Sequence, residues 1–230
     1  MASVTTCIEG SFVVAPDRKR VSYLLVRPPS AHALLVLGHG AGTHLHHPFM
    51  RRLAEELGAS GVATFRYNYP YSETGKGGMD PENVRLATIQ AATETAVRCT
   101  PDLPLFAGGH SMSGRMTTLA MAHGIIGDLV GVVALAFPLH PRGKPSMSRA
   151  DHLVNVPKPI LFISGTRDRM AHLDLLHQVV DELASSTRLH VLEGADHGFN
   201  GLRRSGPSRD EILAELVQTT ADWTTSPTTR

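Results

Sequence analysis

Cysteine, aromatic residues and excess charge of either sign are all scarce in this sequence of 230 residues. Cys7 and Cys99 lie far apart and lack the spacing of a metal or redox site, so we expect no disulfide framework and predict a reduced, cytoplasmic protein. The 22 Lys and Arg residues balance 21 Asp and Glu residues. With that balance, we predict neither nucleic acid nor an anionic membrane as a partner.

Long apolar segments are also missing. No run approaches the roughly 18 residues that a membrane span needs, and residues 1–10 lack the basic and apolar regions of a signal peptide. The sequence has no internal repeat, low-complexity segment or linker. We therefore predict a single domain over residues 1–230 with a frayed tail at 224–230, and the composition indicates no particular oligomeric state.

Short apolar runs alternate with segments of helical periodicity along most of the chain. We predict strands at 11–15, 21–26, 33–37, 62–65, 103–107, 129–137, 160–163 and 189–192, and helices at 49–57, 81–98, 112–123, 172–183 and 210–223. Asp80 is placed to cap the helix that starts at Pro81, and residues 66–78 are predicted to form a loop. The alternation predicts an α/β fold with a mostly parallel sheet flanked by helices.

Residues 105–115 combine a predicted strand, a sharp turn and a predicted helix around Ser111. Such a turn raises a nucleophilic serine above the sheet and requires small residues on both sides of it. Gly109 fills the first small position, and Ser113 occupies the second, where glycine is usual. The alternative is an ordinary turn in which Ser111 or Ser113 caps the helix.

Two later loops carry the side chains that a nucleophilic serine needs. Asp168 and His197 each follow a predicted strand, and the loops at the carboxyl ends of parallel strands gather at one edge of the sheet. His197 would remove the Ser111 proton, and Asp168 would hold the imidazole in the productive tautomer. Three alternatives stay open: Asp168 caps the next helix, Glu193 is the acid, or His197 belongs to an ordinary surface turn.

The glycine-rich loop at 38–42 is predicted to lie beside the turn at Ser111. Negative charge on a substrate oxygen needs backbone donors, and the N–H groups of Ala41 and Met112 are the candidates. Three tyrosines follow a neighbouring strand, and at least one should line the pocket unless they only pack at the sheet edge. The predicted pocket residues are Gly40, Gly42, Tyr67, Tyr69, Tyr71 and His110.

We predict no metal and no cofactor. His44, His46 and His47 cluster in one loop, but a polar loop is the better interpretation because no carboxylate or second histidine pair accompanies them at helical spacing. The glycines at 38–42 lack the spacing of a dinucleotide fingerprint. Those at 75–78 do not follow a strand, as a phosphate-binding loop must.

Several segments taken together resemble the α/β-hydrolase superfamily. They are residues 38–42, 65–71, 108–115, 137–145, 165–168 and 195–199. Within the superfamily, the chain resembles a family of small proteins with a minimal cap, whose relatives include a subunit of a nuclear histone-acetyltransferase complex and a testis-expressed protein. Dienelactone-hydrolase-like proteins are similar too, although they place cysteine where this chain has Ser111.

This resemblance implies a sheet of about seven or eight strands, mostly parallel, with the second strand antiparallel. It also implies Ser111 as nucleophile, Asp168 as acid and His197 as base. The leading hypothesis is therefore a serine hydrolase that cleaves a small carboxylic ester or thioester through an acyl-enzyme. The alternatives are a non-catalytic interaction module and a peptide or amide hydrolase with the same triad.

The connection at 138–159 bears on substrate size. It is rich in proline and basic residues, so it can hold a short helix near residues 150–154 but not a mobile apolar lid. We therefore expect a shallow site that is open to water and selects short acyl chains.

Overall fold

Strand β3 (Ala33–Gly38) is buried along its whole length and organises the sheet. The computed structural model describes residues 5–15, 17–75, 78–183, 186–202 and 206–226. The other strands within these residues are β1 (Thr6–Val14), β2 (Lys19–Arg27), β4 (Val62–Tyr67), β5 (Leu105–His110), β6 (Gly131–Leu135), β7 (Ile160–Gly165) and β8 (Arg188–Leu192).

These eight strands of the described residues form one sheet in the order β1-β2-β4-β3-β5-β6-β7-β8. Strand β2 runs antiparallel to both of its neighbours, and the pairs from β4 to β8 are all parallel. The prediction of an α/β fold with a mostly parallel sheet and an antiparallel second strand is confirmed.

Helices cover both faces of the sheet. They are α1 (Pro48–Ala59), α2 (Pro70–Thr74), α3 (Glu82–Cys99), α4 (Met112–Ala122), α5 (Leu173–Asp181) and α6 (Arg209–Thr225). Side chains of a strand alternate between its two faces. Leu34 and Val36 of β3 accordingly pack in the core on the side of α3, α4 and α5, whereas Leu35 and Leu37 pack on the side of α1 and α6.

The region after β4 differs from the prediction. Helix α2 lies inside residues 66–78, which we predicted as a loop, and Ser72 stabilises its first turn by accepting a hydrogen bond from the Tyr69 N–H at 3.0 Å. Asp80 does not cap α3, whose N-cap is Pro81. Its carboxylate instead accepts a hydrogen bond from the Tyr71 N–H at 2.9 Å, which ties α2 to the start of α3.

Other boundaries also differ from the prediction: β1 begins at Thr6 rather than at residue 11, and β6 covers only Gly131–Leu135 of the predicted 129–137. Strand β5 begins at Leu105 and continues through the paired glycines to His110, so the strand delivers the chain directly to Ser111. Helix α6 continues to Thr225, and the buried Thr224 hydroxyl lies 3.1 Å from His32 Nε2. The predicted fraying is therefore wrong at Thr224, and residues 227–230 lie outside the described part of the chain.

The connection between β6 and β7 contains two short 3-10 helices, Ser148–Ala150 and Leu153–Asn155, and no α-helix. All of its residues are described, so the predicted minimal cap is confirmed. No helix among the described residues is long and apolar enough to cross a membrane.

Candidate active site

Ser111 lies between the last residue of β5 and the first residue of α4 in a strained backbone conformation. Its φ is 51° and its ψ is −109°, a region that residues with a side chain rarely adopt. The Ser111 N–H donates to the Leu135 carbonyl at 2.7 Å, which anchors the turn to β6. Ser111 occupies the N-cap position, but its side chain makes no capping hydrogen bond. The capping alternative is therefore not the arrangement observed.

The Ser111 hydroxyl instead contacts His197, which in turn contacts Asp168. The distance from Ser111 Oγ to His197 Nε2 is 2.8 Å, and His197 Nδ1 lies 2.8 Å from Asp168 Oδ2. A carboxylate only accepts, so Nδ1 carries the proton and Nε2 is left to accept the serine proton. The Asp168 side chain is fully buried, whereas a quarter of the His197 side chain (26%) is exposed.

Neither alternative for the acid matches this geometry. Asp168 Oδ1 accepts from the Met170 N–H at 2.8 Å, but α5 begins later and has His172 as its N-cap. The Glu193 carboxylate accepts a hydrogen bond from the Thr166 hydroxyl at 3.4 Å. The structure thus brings Asp168 to His197 and leaves Glu193 paired elsewhere.

Ser113, the residue in the usual glycine position, ends a directed chain of buried hydroxyls. Its Oγ donates to the His39 carbonyl at 2.5 Å and therefore accepts from Tyr69, whose hydroxyl is 2.9 Å away. Tyr69 in turn accepts from Tyr67 at 3.3 Å. Burial raises the pKa of Tyr69 to about 12 and raises the pKa of Tyr67 well above its usual value, so both stay protonated donors. The chain fixes the carbonyl at the start of the glycine-rich loop.

The Ser113 side chain fits only because its neighbours lack side chains. A Cβ added to Gly38 would lie 2.5 Å from both Ser113 Cβ and Oγ, and one added to Gly109 would lie 2.8 Å from Ser113 Cβ. Two glycines on adjacent strands therefore leave the volume that the extra hydroxymethyl group fills. The departure from glycine at this position is accommodated without displacing the turn.

His110 bridges the two loops on either side of Ser111. Its Nε2 donates to the His197 carbonyl at 2.8 Å, and its ring packs against Gly40, where a Cβ would come within 2.7 Å of Nδ1. Burial lowers the His110 pKa to about 4, so the ring is neutral at pH 7. His110 thus positions the backbone of the His197 loop.

A cavity of about 350 Å³ opens beside Ser111 and includes both predicted backbone donors, Ala41 and Met112. Its walls contain apolar residues from four parts of the chain, namely Met79, Met116, Pro138 and Met170. Its volume is near the lower end of the roughly 300–1,000 Å³ that is usual for ligand pockets. This volume agrees with the small site that we expected from the polar connection at 138–159.

The three predicted pocket tyrosines do not line this cavity, and neither do Gly40, Gly42 and His110. Tyr67 and Tyr69 are fully buried in the core below Ser113, where they form the hydroxyl chain. Tyr71 stacks on Tyr69 with ring centroids 6.1 Å apart. The prediction that a tyrosine lines this cavity is wrong, because Tyr67 points from β4 into the core and the turn into α2 places Tyr69 beside it.

Sequence reasoning missed three arginines in the same cavity: Arg85 of α3, Arg115 of α4 and Arg149 of the connection. One signal was available for Arg115, which follows Ser111 by four residues and therefore lies on the same face of α4 one turn later. Arg85 and Arg149 are distant in sequence, and only the packing of α3 and the connection against α4 brings them together.

A second cavity, of about 340 Å³, lies on the other side of the triad. His197 lines it together with Arg142, Arg167, Arg169 and Asp196. His197 does not line the Ser111 cavity, but Met170 lines both cavities, so the two cavities adjoin each other.

The histidine-rich loop does not form a metal centre among the described residues, which contain no group of three potential ligands placed to hold a metal ion. His47 is the N-cap of α1 and accepts the Phe49 N–H at 3.3 Å. The rings of His44 and His46 lie 6.3 Å apart.

The comparisons with known proteins agree with this architecture. Residues 31–225 match the family described as an alpha/beta hydrolase domain. A dienelactone hydrolase from Anabaena variabilis is similar, with a TM-score of 0.73 and 21% identity over 95% of this chain and 97% of that one. The esterase domain of a Rhodothermus marinus protein has a TM-score of 0.69 and 14% identity, over 95% and 98%.

A third similar structure is an α/β serine hydrolase without a lid from Xanthomonas campestris, with a TM-score of 0.69 and 16% identity over 94% of this chain and 93% of that one. At these identities the likeness establishes a shared fold. The predicted dienelactone-hydrolase-like neighbours are present. The narrower relation to the histone-acetyltransferase-complex subunit and the testis-expressed protein stays a prediction.

Proposed function

The chain belongs to the alpha/beta hydrolase domain family, and from that premise we propose that it is a serine hydrolase that cleaves a small carboxylic ester or thioester. The observation that carries the proposal is the pair of 2.8 Å contacts that join Ser111 to His197 and His197 to Asp168. Support comes also from the positive φ of Ser111, because a strained conformation that the surrounding structure holds in place is typical of a functional residue.

The reaction follows from the proton positions. His197 Nε2 takes the Ser111 proton as Oγ attacks the substrate carbonyl carbon, and the buried Asp168 stabilises the imidazolium. The imidazolium then gives its proton to the leaving oxygen or sulfur, whose bond to the acyl carbon breaks. Water, deprotonated by the same His197, attacks the acyl-enzyme and releases the acid and free Ser111.

In this proposal, the negative charge on the carbonyl oxygen is stabilised by the N–H groups of Met112 and Ala41. Met112 is the first residue of α4, and the first N–H groups of a helix have no partner within the helix. Ala41 lines the same cavity as Ser111. His39 supports this loop, because its Nδ1 donates to the Gly40 carbonyl at 2.8 Å.

A fluorophosphonate probe tests the proposal. We expect the wild-type protein to be labelled covalently and Ser111→Ala to be unlabelled, with a loss of ester turnover on the order of 10⁵-fold or more. The matched control is Ser113→Ala, which removes a hydroxyl two residues away in the same turn and should retain the label. Circular dichroism of each variant confirms that it is folded.

Two results would overturn the proposal. Labelling that survives in Ser111→Ala but disappears in folded Ser113→Ala would show that the nucleophile is misassigned. A wild-type protein that neither reacts with the probe nor hydrolyses any short ester would favour the non-catalytic interaction module.

A further inference from the structure

The walls of the Ser111 cavity carry three positive charges and no negative one. Arg85, Arg115 and Arg149 all line it, and the remaining lining residues are uncharged. Within the described part of the chain, the only carboxylate within 4 Å of any of these guanidinium groups is that of Glu82, at 3.9 Å from Arg115. The cavity therefore has a net positive potential beside Ser111, which Glu82 compensates only in part.

The arginines also retain unused hydrogen-bonding capacity. The Nε groups of Arg85 and Arg115 are buried and have no partner among the described residues. Arg85 directs Nη1 at the Met79 sulfur, 3.7 Å away, and Arg149 Nη1 donates to the Pro138 carbonyl at 3.3 Å. Buried polar groups are normally paired, and a guanidinium prefers a carboxylate or a phosphate to a thioether.

The charges affect one another across the cavity. Burial lowers the pKa of Arg115, the nearby Glu82 raises it, and the positive charges of Arg149 and Arg85 lower it. His152, which packs against α4 with Nε2 2.8 Å from Thr118 Oγ1, has a pKa lowered to about 4 by burial and by Arg115. His152 is therefore neutral at pH 7 and adds no positive charge. A bound anion would reduce the repulsion among the three arginines.

The position of His197 decides which part of a substrate enters this cavity. His197 must protonate the leaving group, so the leaving group lies on the His197 side, in the cavity with Arg142. The acyl carbon bonds to Ser111, and the rest of the acyl group then extends into the Ser111 cavity. Apolar walls that include Met112 and Met116 suit a short methylene chain before the charge.

We propose that the Ser111 cavity is an acyl-binding site for a short acyl group that ends in an anion, a carboxylate or a phosphate, held by Arg85, Arg115 and Arg149. The proposal rests on the proposed hydrolase function and names its substrate class: half-esters or half-thioesters of small dicarboxylic or phosphono acids. The reaction consumes one water and releases a proton, the alcohol or thiol, and an acid that carries one carboxylate more than the substrate.

Three acyl donors of similar length test this selectivity: 4-nitrophenyl esters of monomethyl adipate, of adipate and of 4-phosphonobutanoate. We expect kcat/KM for at least one anionic ester to exceed that for the neutral ester by roughly tenfold to hundredfold, the range of one charge-assisted hydrogen bond. The adipate and phosphonobutanoate arms show which anion is preferred. Rates measured with Ser111→Ala are subtracted as the background.

Variants locate the charge that selects the substrate. Arg115→Gln and Arg85→Gln should each remove most of the preference for the anionic ester, which is measured as the ratio of kcat/KM for the anionic ester to kcat/KM for the neutral ester. Arg51→Gln is the matched control, because it removes one positive charge from the exposed face of α1, where Arg51 faces Glu55 at 3.9 Å. Arg142→Gln removes a charge from the leaving-group side and should also retain the preference.

Binding to Ser111→Ala separates this proposal from the proposed function. Calorimetric titration with monomethyl adipate and dimethyl adipate needs no catalysis, and the monoanion should bind at least tenfold more tightly, with the difference lost on adding Arg115→Gln. Neutral esters that are hydrolysed through Ser111 with no anionic preference would overturn the anion site and leave the hydrolase intact. Anion-selective binding without any turnover would support the site and contradict the hydrolase. If the preference for the anionic ester were lost only in Arg142→Gln, the anion would bind on the leaving-group side and not in the Ser111 cavity.

Discussion

Replacing Ser113 by alanine should destabilise the protein far more than the loss of one surface hydroxyl would. The variant leaves the Tyr69 hydroxyl without an acceptor and the His39 carbonyl without a donor, and all three residues are fully buried. An unpaired buried polar group costs about 1–3 kcal/mol. The two groups together should therefore lower the free energy of unfolding by roughly 2–6 kcal/mol.

The effect is large enough to measure in two ways. A domain of this size loses about 2–4 °C in Tm for each kcal/mol, so Ser113→Ala should melt roughly 4–24 °C below the wild type. Denaturation in guanidinium chloride should show a lower midpoint with an unchanged slope. Tyr69→Phe should also destabilise, because it leaves the Tyr67 hydroxyl without its acceptor.

The double variant gives the decisive comparison. In Ser113→Ala with Tyr69→Phe, the orphaned Tyr69 hydroxyl no longer exists, so the two costs should fall short of adding by about 1 kcal/mol or more. A single Ser113→Ala cost below about 0.5 kcal/mol, or strictly additive costs, would refute the directed chain from Tyr67 to the His39 carbonyl.

Three further predictions follow from the site and its surroundings. Asp168→Asn should keep the fold and lower turnover on the order of a thousandfold or more, because the wrong imidazole tautomer is favoured; near-wild-type kinetics would exclude Asp168 as the acid. The pKa of His39, His110 and His152 is lowered to about 4 in the folded protein by burial. The unfolded chain therefore binds more protons, and the free energy of unfolding should fall as the pH drops from about 6.5 to 4. The fall should reach up to about 1.4 kcal/mol per pH unit for each fully buried histidine such as His39. Chemical denaturation at each pH measures this slope, and His39→Gln should reduce it. Among neutral 4-nitrophenyl esters, butyryl should be preferred to palmitoyl with no rate increase above the micellar concentration, since a cavity of about 350 Å³ cannot continue to gain about 0.8 kcal/mol per methylene; a palmitoyl preference would show that a longer cleft exists.

The candidate catalytic residues could be predicted because each of them follows a strand of the sheet. Ser111, Asp168 and His197 follow β5, β7 and β8, which are parallel and so deliver their loops to one edge of the sheet. Strand periodicity and chain order were sufficient to propose that they meet. Because the chain has 13 histidines, residue type alone could not identify the base. The acid and the base were chosen by their positions after strands.

The support around the site could not be predicted in the same way. The direction in which Tyr69 points depends on the short helix α2, which has only five residues and was predicted as a loop. The arginine cluster depends on the packing of α3 and α4, which places Arg85 beside Arg115 although 30 positions separate them in the sequence. Local patterns carry no information about such a pairing.

Because Ser113 packs closely against Gly38, the order in which these two positions can be substituted is restricted. While Ser113 is present, a methyl group at Gly38 meets its side chain at 2.5 Å and the Tyr67 hydroxyl at 2.7 Å, so alanine is barred there. A lineage that first lost the serine could relieve the nearer of those clashes, but only after giving up the hydroxyl chain. With serine at position 113, position 38 and the tyrosines beneath it depend on one another, and a single substitution away from this combination should give a less stable protein.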